Sequence, residues 1–137
     1  MNNAKQVLGQ EGERVAERYL QKKGYKLVER NYRCPAGEVD LIVLDRRVIV
    51  FVEVKTRTGN RFGSPLEAVQ PRKQHKMIRA AQFFLAQKGL HQRDARFDVV
   101  GISWPARSLS ARAQAGQAGG PAREPVVEHV ENAFELS

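Results

Sequence analysis

Cysteine is nearly absent from this chain. The single Cys34 excludes an internal disulfide and a cysteine-rich zinc cluster, and His75, His91 and His129 lie too far apart to form a short zinc motif. Long apolar runs are lacking as well. The longest, "VIVFV" at 48–52, is far too short to cross a bilayer, so no membrane partner is expected. The stretch "MNNAKQVLGQEGERVAERYL" has no apolar segment of secretory length, which gives the expectation of a cytoplasmic protein. Acid is also in short supply: 15 Asp and Glu stand against 23 Lys and Arg, for a formal charge of +8.

What is present reads as one globular domain over residues 1–137, large enough for a single apolar core. Gly12, Val15, Ala16, Tyr19 and Leu20 recur at helical intervals, predicting a helix over 10–23 that stops at Gly24. "YKLVERNY" alternates like a polar edge strand, and "RCPAG" at 33–37 is a turn. "EVDLIVLD" and "VIVFVEVK", separated by Arg46 and Arg47, predict an antiparallel hairpin. After turn-prone residues 56–70, Pro71 opens a second helix with Met77, Ile78, Ala81, Phe84 and Leu85 on its apolar face and Gly89 at its end. Further strands fit 96–102 and 125–130, and the Ala-, Gly- and Gln-rich stretch at 107–124 reads as a flexible loop. The order of helix, three strands, helix and two strands gives an α/β fold with a sheet flanked by helices.

The positive charge is localised. Residues 55–96 hold ten Lys or Arg against two acids, while the rest carries thirteen of each sign. A surface meeting phosphates has this character, as does a basic protein without such a partner.

"FVEVK" at 51–55 places two charges in a run otherwise suited to a buried strand. With Arg46 and Arg47 as the loop, Asp45 faces Val48, Asp40 faces Glu53 and Glu38 faces Lys55. Carboxylates brought together repel, and a hard divalent cation offsets the repulsion by taking their oxygens. Mg2+ or Mn2+ between Asp40 and Glu53, with the Val54 carbonyl as a further ligand, would activate water against a phosphodiester. Lys55 would orient that water or compensate charge on the phosphoryl group. Glu38 has two readings, a proton acceptor through water or a salt-bridge partner of Lys55. A solvated hairpin end whose charges neutralise one another explains the same residues without chemistry.

The run "GEVDLIVLDRRVIVFVEVKTRTG" resembles the heart of the bacterial family called YraN-like, related to the restriction-endonuclease-like superfamily and to archaeal Holliday-junction resolvases. The resemblance extends from "GQEGERVAERYL" through "PLEAVQPRKQHKMIRAAQFFL" and "RFDVVGI" to "VEHVENAF". It implies a restriction-endonuclease-like mixed sheet flanked by helices, with Asp40 and Glu53 as metal-binding acids and Lys55 as the catalytic lysine. Val39 stands where the wider superfamily commonly has proline, a departure that removes no ligand. In related junction-cleaving enzymes a glutamate of the first helix joins the metal centre, which implies Glu13 here; an ordinary surface charge is the other reading.

Arg57, Arg61, Arg72, Lys73 and Lys76 follow the motif closely enough to contact a nucleic-acid backbone. Arg72 and Lys73 fall at a helix N-terminus, where positive charge opposes the dipole and a bound phosphate would relieve it. Asp98 reads as a strand-edge salt bridge to a nearby arginine, and the histidines have no assigned role. The expected function is a metal-dependent DNA endonuclease. A branched substrate and a homodimer are implied only by the resemblance, and the alternative is a noncatalytic DNA-binding or protein-interaction module of the same fold.

Overall fold

The computed structural model describes residues 4–59, 63–105 and 124–135, with side chains from Gln6 onward. Arg61 and, apart from Glu124, the stretch 107–124 lie outside the described residues. Helix α1 spans Ala4–Lys22, followed by β1 (Lys26–Cys34), β2 (Gly37–Asp45) and β3 (Val48–Thr58). A single 3-10 turn at Pro65–Ala68 leads into α2 (Pro71–Gln87), and β4 (Ala95–Trp104) and β5 (Val126–Phe134) complete the order.

The strands form one mixed sheet in the order β1-β2-β3-β4-β5. β1, β2 and β3 run antiparallel, β3 and β4 parallel, and β4 and β5 antiparallel. A parallel pair cannot be joined by a tight turn, and α2 supplies the crossover between β3 and β4. The α/β class and the mixed sheet between helices are as the sequence implied.

Both helices end by the same device. Gly24 takes φ 96° and Gly89 φ 66°, and the next amides bond back five residues, Tyr25 to Leu20 O at 3.0 Å and Leu90 to Leu85 O at 2.8 Å. α1 begins six residues earlier than its apolar period suggests.

Period-two alternation along β2 and β3 divides the core between the two faces. Ile42, Ile49, Phe51 and Phe97 pack against Met77, Ala81 and Phe84 of α2. Leu41, Val43, Val50, Val52 and Val100 pack against Ala16 and Leu20 of α1. Phe84 meets both Tyr32 and Phe51 edge-on, with centroids 5.2 and 5.8 Å apart.

The two outer strands are irregular. β1 shifts register between Leu27 and Glu29, and Asn31 within it has φ 48°. β5 pairs with β4 through a shift between Phe97 and Val99, and its Asn132 has φ 49°.

Candidate functional site

The β2–β3 hairpin has the register read from its turn, with Asp45 opposite Val48 and the pairing continuous to Leu41 opposite Val52. Arg46 accepts φ 58° at the turn, a conformation usually left to Asn or Gly. Beyond Leu41 the strands part. Val39 joins the α2-side core while Leu41, two residues away, joins the α1-side core, so β2 turns over at Asp40. The Asp40 side chain fills the gap: its Oδ2 accepts a hydrogen bond from the Val54 amide at 2.8 Å.

This position lets Asp40 touch acids on both faces of the sheet. Glu53 and Lys55 share the α2 side of β3 by alternation, and Glu13 comes from α1. The Asp40 carboxyl is within hydrogen-bonding reach of both Glu13 and Glu53. Gly12 makes the approach of α1 tight enough: a Cβ there would collide with Thr56 Oγ1 and lie 3.2 Å from Thr56 Cβ.

Glu53 and Asp98 are the buried charged residues among those described. Burial pushes the Glu53 carboxyl up to about 8, reinforced by the hydrogen bond and negative charge of Asp40 and opposed by Lys73 and Lys55. Burial likewise raises Glu13 to about 7, helped by repulsion from Asp40 and Glu38. Lys73 Nζ stands 3.4 Å from Glu53 Oε2, yet that buried oxygen makes no hydrogen bond. Coulomb attraction survives at this distance where a hydrogen bond needs alignment as well, so Oε2 retains an uncommitted lone pair.

On the α2 side, a cavity of about 530 Å3 is lined by Lys55, Gln70, Arg72, Lys73 and Lys76. Four residues expected at the catalytic and phosphate sites therefore meet. The N-terminus of α2 faces this cluster with no acid in its first turn and no side-chain cap from Gln70.

One expected contact takes another partner. Glu38 lies opposite Arg33 on β1, with 3.7 Å between the Arg33 Nε and a Glu38 carboxylate oxygen, where Lys55 was the expected partner. The cause is the same parting of β2 from β3, which returns Glu38 to its other neighbour. Arg57 donates to the carbonyls of Gly63 at 3.0 Å and Ser64 at 3.3 Å, holding the loop before α2.

Asp98 does pair with an arginine, Arg96 at 3.0 Å, but it is fully buried and not at a strand edge. It also accepts from His129 Nε2 at 2.7 Å and from the Asn132 amide at 3.0 Å. Burial alone would raise its pKa, but these bonds together hold it below the usual carboxylate value. Sequence reasoning missed His129, a β5 residue whose partners are Tyr19 of α1, Lys23 and Tyr25 just past that helix, and Asp98 of β4. Lys23 Nζ lies 3.0 Å from its Nδ1, which fixes Nδ1 as the acceptor and Nε2–H as the donor to Asp98.

Among the described residues no group of three or more His, Cys, Asp or Glu side chains is arranged to hold a metal ion by itself. No described helix is long and apolar enough to cross a membrane.

Comparison with known proteins bears on the same region. The profile of the uncharacterised protein family UPF0102 matches residues 12–102, which include Glu13, Asp40, Glu53, Lys55 and the basic N-terminus of α2. A UPF0102 protein of Caldanaerobacter subterraneus subsp. tengcongensis is 48% identical over 98 residues, covering 72% of this chain and 80% of the relative. One from Geotalea daltonii is 39% identical over 135 residues, covering 98% of this chain and 94% of its own. One from Chlorobium chlorochromatii is 51% identical over 96 residues, covering 70% and 74%. This is the YraN-like family that the motif run resembles, and the chain belongs to it: it is a member of the uncharacterised protein family UPF0102.

Proposed function

We propose that this protein is a Mg2+- or Mn2+-dependent endonuclease that hydrolyses DNA phosphodiesters. The observation that carries the reading is the contact of Asp40 with Glu53 and Glu13 beside Lys55, with one buried Glu53 oxygen left without a hydrogen bond. A folding core gains nothing from two carboxyls displaced upward by burial and mutual repulsion, whereas a cation-binding site needs them.

The donor set suits a hydrated magnesium ion, which takes one or two carboxylates and keeps waters or substrate oxygens in its other positions. Asp40 and Glu53 would hold it, with the Val54 carbonyl as a further candidate ligand. A divalent cation there supplies Lewis-acid polarisation of the phosphate and a more acidic water. Lys55 offers a fixed ammonium to the charge developing on the phosphoryl oxygens. Glu13, pushed up to about 7, is matched to accepting a proton near neutral pH. Glu38 keeps a supporting role through its repulsion of Glu13. Arg72, Lys73 and Lys76 give the DNA backbone its register without reading sequence.

DNA as the partner rests on this basic pocket and on the resemblance to junction-cleaving enzymes, and a branched substrate rests on the resemblance alone. A homodimer would match two active sites to a symmetric junction. A cytoplasmic location is part of the same reading.

The second reading, a noncatalytic DNA-binding or protein-interaction module, draws on the Lys73–Glu53 pair, which already neutralises one acid. The two separate on purified protein incubated with Mg2+ or Mn2+ and single strands, duplexes, flaps and junctions. Cleavage that disappears in Asp40→Asn and Glu53→Gln while binding persists supports the nuclease. Binding without cleavage on every substrate supports the module.

A further inference from the structure

A second cavity, about 790 Å3, opens on the other face of the sheet between α1 and the first two strands. Arg14, Arg18 and Arg30 line it, together with Glu13, Glu17 and, on its floor, Leu41. Glu17 is committed to Arg30, whose Nη2 lies 2.9 Å from Glu17 Oε2. Arg14 and Arg18 are exposed and have no hydrogen-bond or ion-pair partner among the described residues. They stand four residues apart on one helix, where like charges repel by a few tenths of a kcal/mol. Glu11 and Glu17 stand three residues before and after Arg14, but Glu17 is held by Arg30, so the cleft keeps an excess of positive charge suited to an anion from outside.

The two cavities meet at the carboxylates. Glu13 lines the α1-side cleft and touches Asp40; Asp40 touches Glu53; Glu53 pairs with Lys73, which lines the pocket on the α2 side. Base, acid and base therefore follow one another over the end of the sheet where β2 turns over.

We propose that the cleft between α1 and the β1–β2 pair is a second phosphate subsite, which takes a nucleic-acid strand on the far side of the carboxylates from the Lys55 pocket. The backbone then passes from the α2 face to the α1 face across Asp40, and Arg14 and Arg18 neutralise its phosphates on the far side. This rests on the reading of the site as one that handles phosphodiesters, yet it concerns binding and needs no cleavage.

The test is fluorescence anisotropy of labelled single-stranded DNA and RNA oligonucleotides in EDTA, across a salt series. Each lost phosphate contact on a single strand lowers the slope of log affinity against log salt by about 0.7, so Arg14→Ala/Arg18→Ala should lower it by about 1.4. Lys73→Ala/Lys76→Ala should lower it by a similar amount, and the four changes together should add. Glu17→Gln, which releases Arg30, should steepen the slope. Doubling the length of an oligonucleotide that fills one cavity should tighten wild-type binding and leave the Arg14/Arg18 variant unchanged.

An unaltered slope in the arginine pair, beside a lowered one in the lysine pair, overturns the subsite. Should the arginine pair fail to fold by circular dichroism, an unchanged slope in Glu17→Gln overturns it instead. Wild-type protein that binds neither DNA nor RNA overturns both this subsite and the proposed function. Binding that follows these slopes without cleavage in Mg2+ or Mn2+ on any substrate removes the nuclease and leaves the subsite standing.

Discussion

The Val54 amide donates to Asp40 Oδ2 at 2.8 Å, so the proposed metal-binding acid also closes the gap left where β2 and β3 part. Asp40→Ala leaves that amide without its acceptor and should cost about 1–3 kcal/mol of stability. Asp40→Asn keeps an acceptor oxygen and should cost less. Urea denaturation of the two variants measures the difference, and equal stability of both would show that the hydrogen bond contributes nothing.

Lys73 occupies the place of a counter-ion to Glu53 and should compete with any cation. Lys73→Ala is expected to tighten Mn2+ binding about three- to tenfold, and Asp40→Asn to weaken it, in titrations followed by electron paramagnetic resonance. Weaker Mn2+ binding by Lys73→Ala would place the cation elsewhere.

The raised carboxyls give a signed pH dependence. Glu53 rises from 4.5 to about 8 and Glu13 from 4.5 to about 7, so between those values the folded state holds protons that the unfolded state has released. Stability from these two groups is therefore highest at low pH and falls as pH rises from about 4.5 to 8. Glu53→Gln should remove part of that fall and stabilise the metal-free protein at pH 8 by about 1–2 kcal/mol. Thermal melts of wild type and variant across this window supply the comparison; parallel curves would mean that Glu53 ionises normally.

Gly12 permits the close passage of α1 over Thr56 that brings Glu13 to Asp40. Gly12→Ala gains helix propensity of about 1 kcal/mol but must push the helix or Thr56 aside, for a net loss of about 1–2 kcal/mol. Thr56→Ala should restore part of it, which a double-mutant cycle in urea would measure as a coupling. Purely additive losses would mean that α1 adjusts without Thr56.

Asp98 joins Arg96, His129 and the Asn132 amide in the buried part of the sheet. Asp98→Ala strands these donors and should cost about 3–5 kcal/mol in denaturant unfolding. A loss below 1 kcal/mol would indicate that water already satisfies them.

The hairpin register was legible because Arg46 and Arg47 leave two strands whose apolar positions match. Gly24, Pro71 and Gly89 marked helix ends through local backbone chemistry that needs no tertiary context. The reversal of β2 at Asp40 was not legible: it depends on which residues of two different helices cover Val39 and Leu41. That same reversal gave Glu38 to Arg33 and placed Asp40 between Glu13 and Glu53. Asp98 hid its burial because the partners that make a buried charge tolerable come from positions 96, 129 and 132, and only β4–β5 pairing brings the last two close. The arginine cleft is not legible in the sequence for the opposite reason, since Arg14 and Arg18 read as any solvated helix face until Leu41 and Arg30 supply its floor and far side.

The irregular outer strands bear on how two copies would meet. Kinked backbone at Asn31 on one margin and Asn132 on the other interrupts the row of unpaired amides and carbonyls that a neighbour's strand would need as a template. A continuous ten-stranded sheet across a twofold axis is thereby disfavoured, and self-association would have to be built from side chains on the helices and loops, where surface mutations could dissolve it without unravelling the protomer.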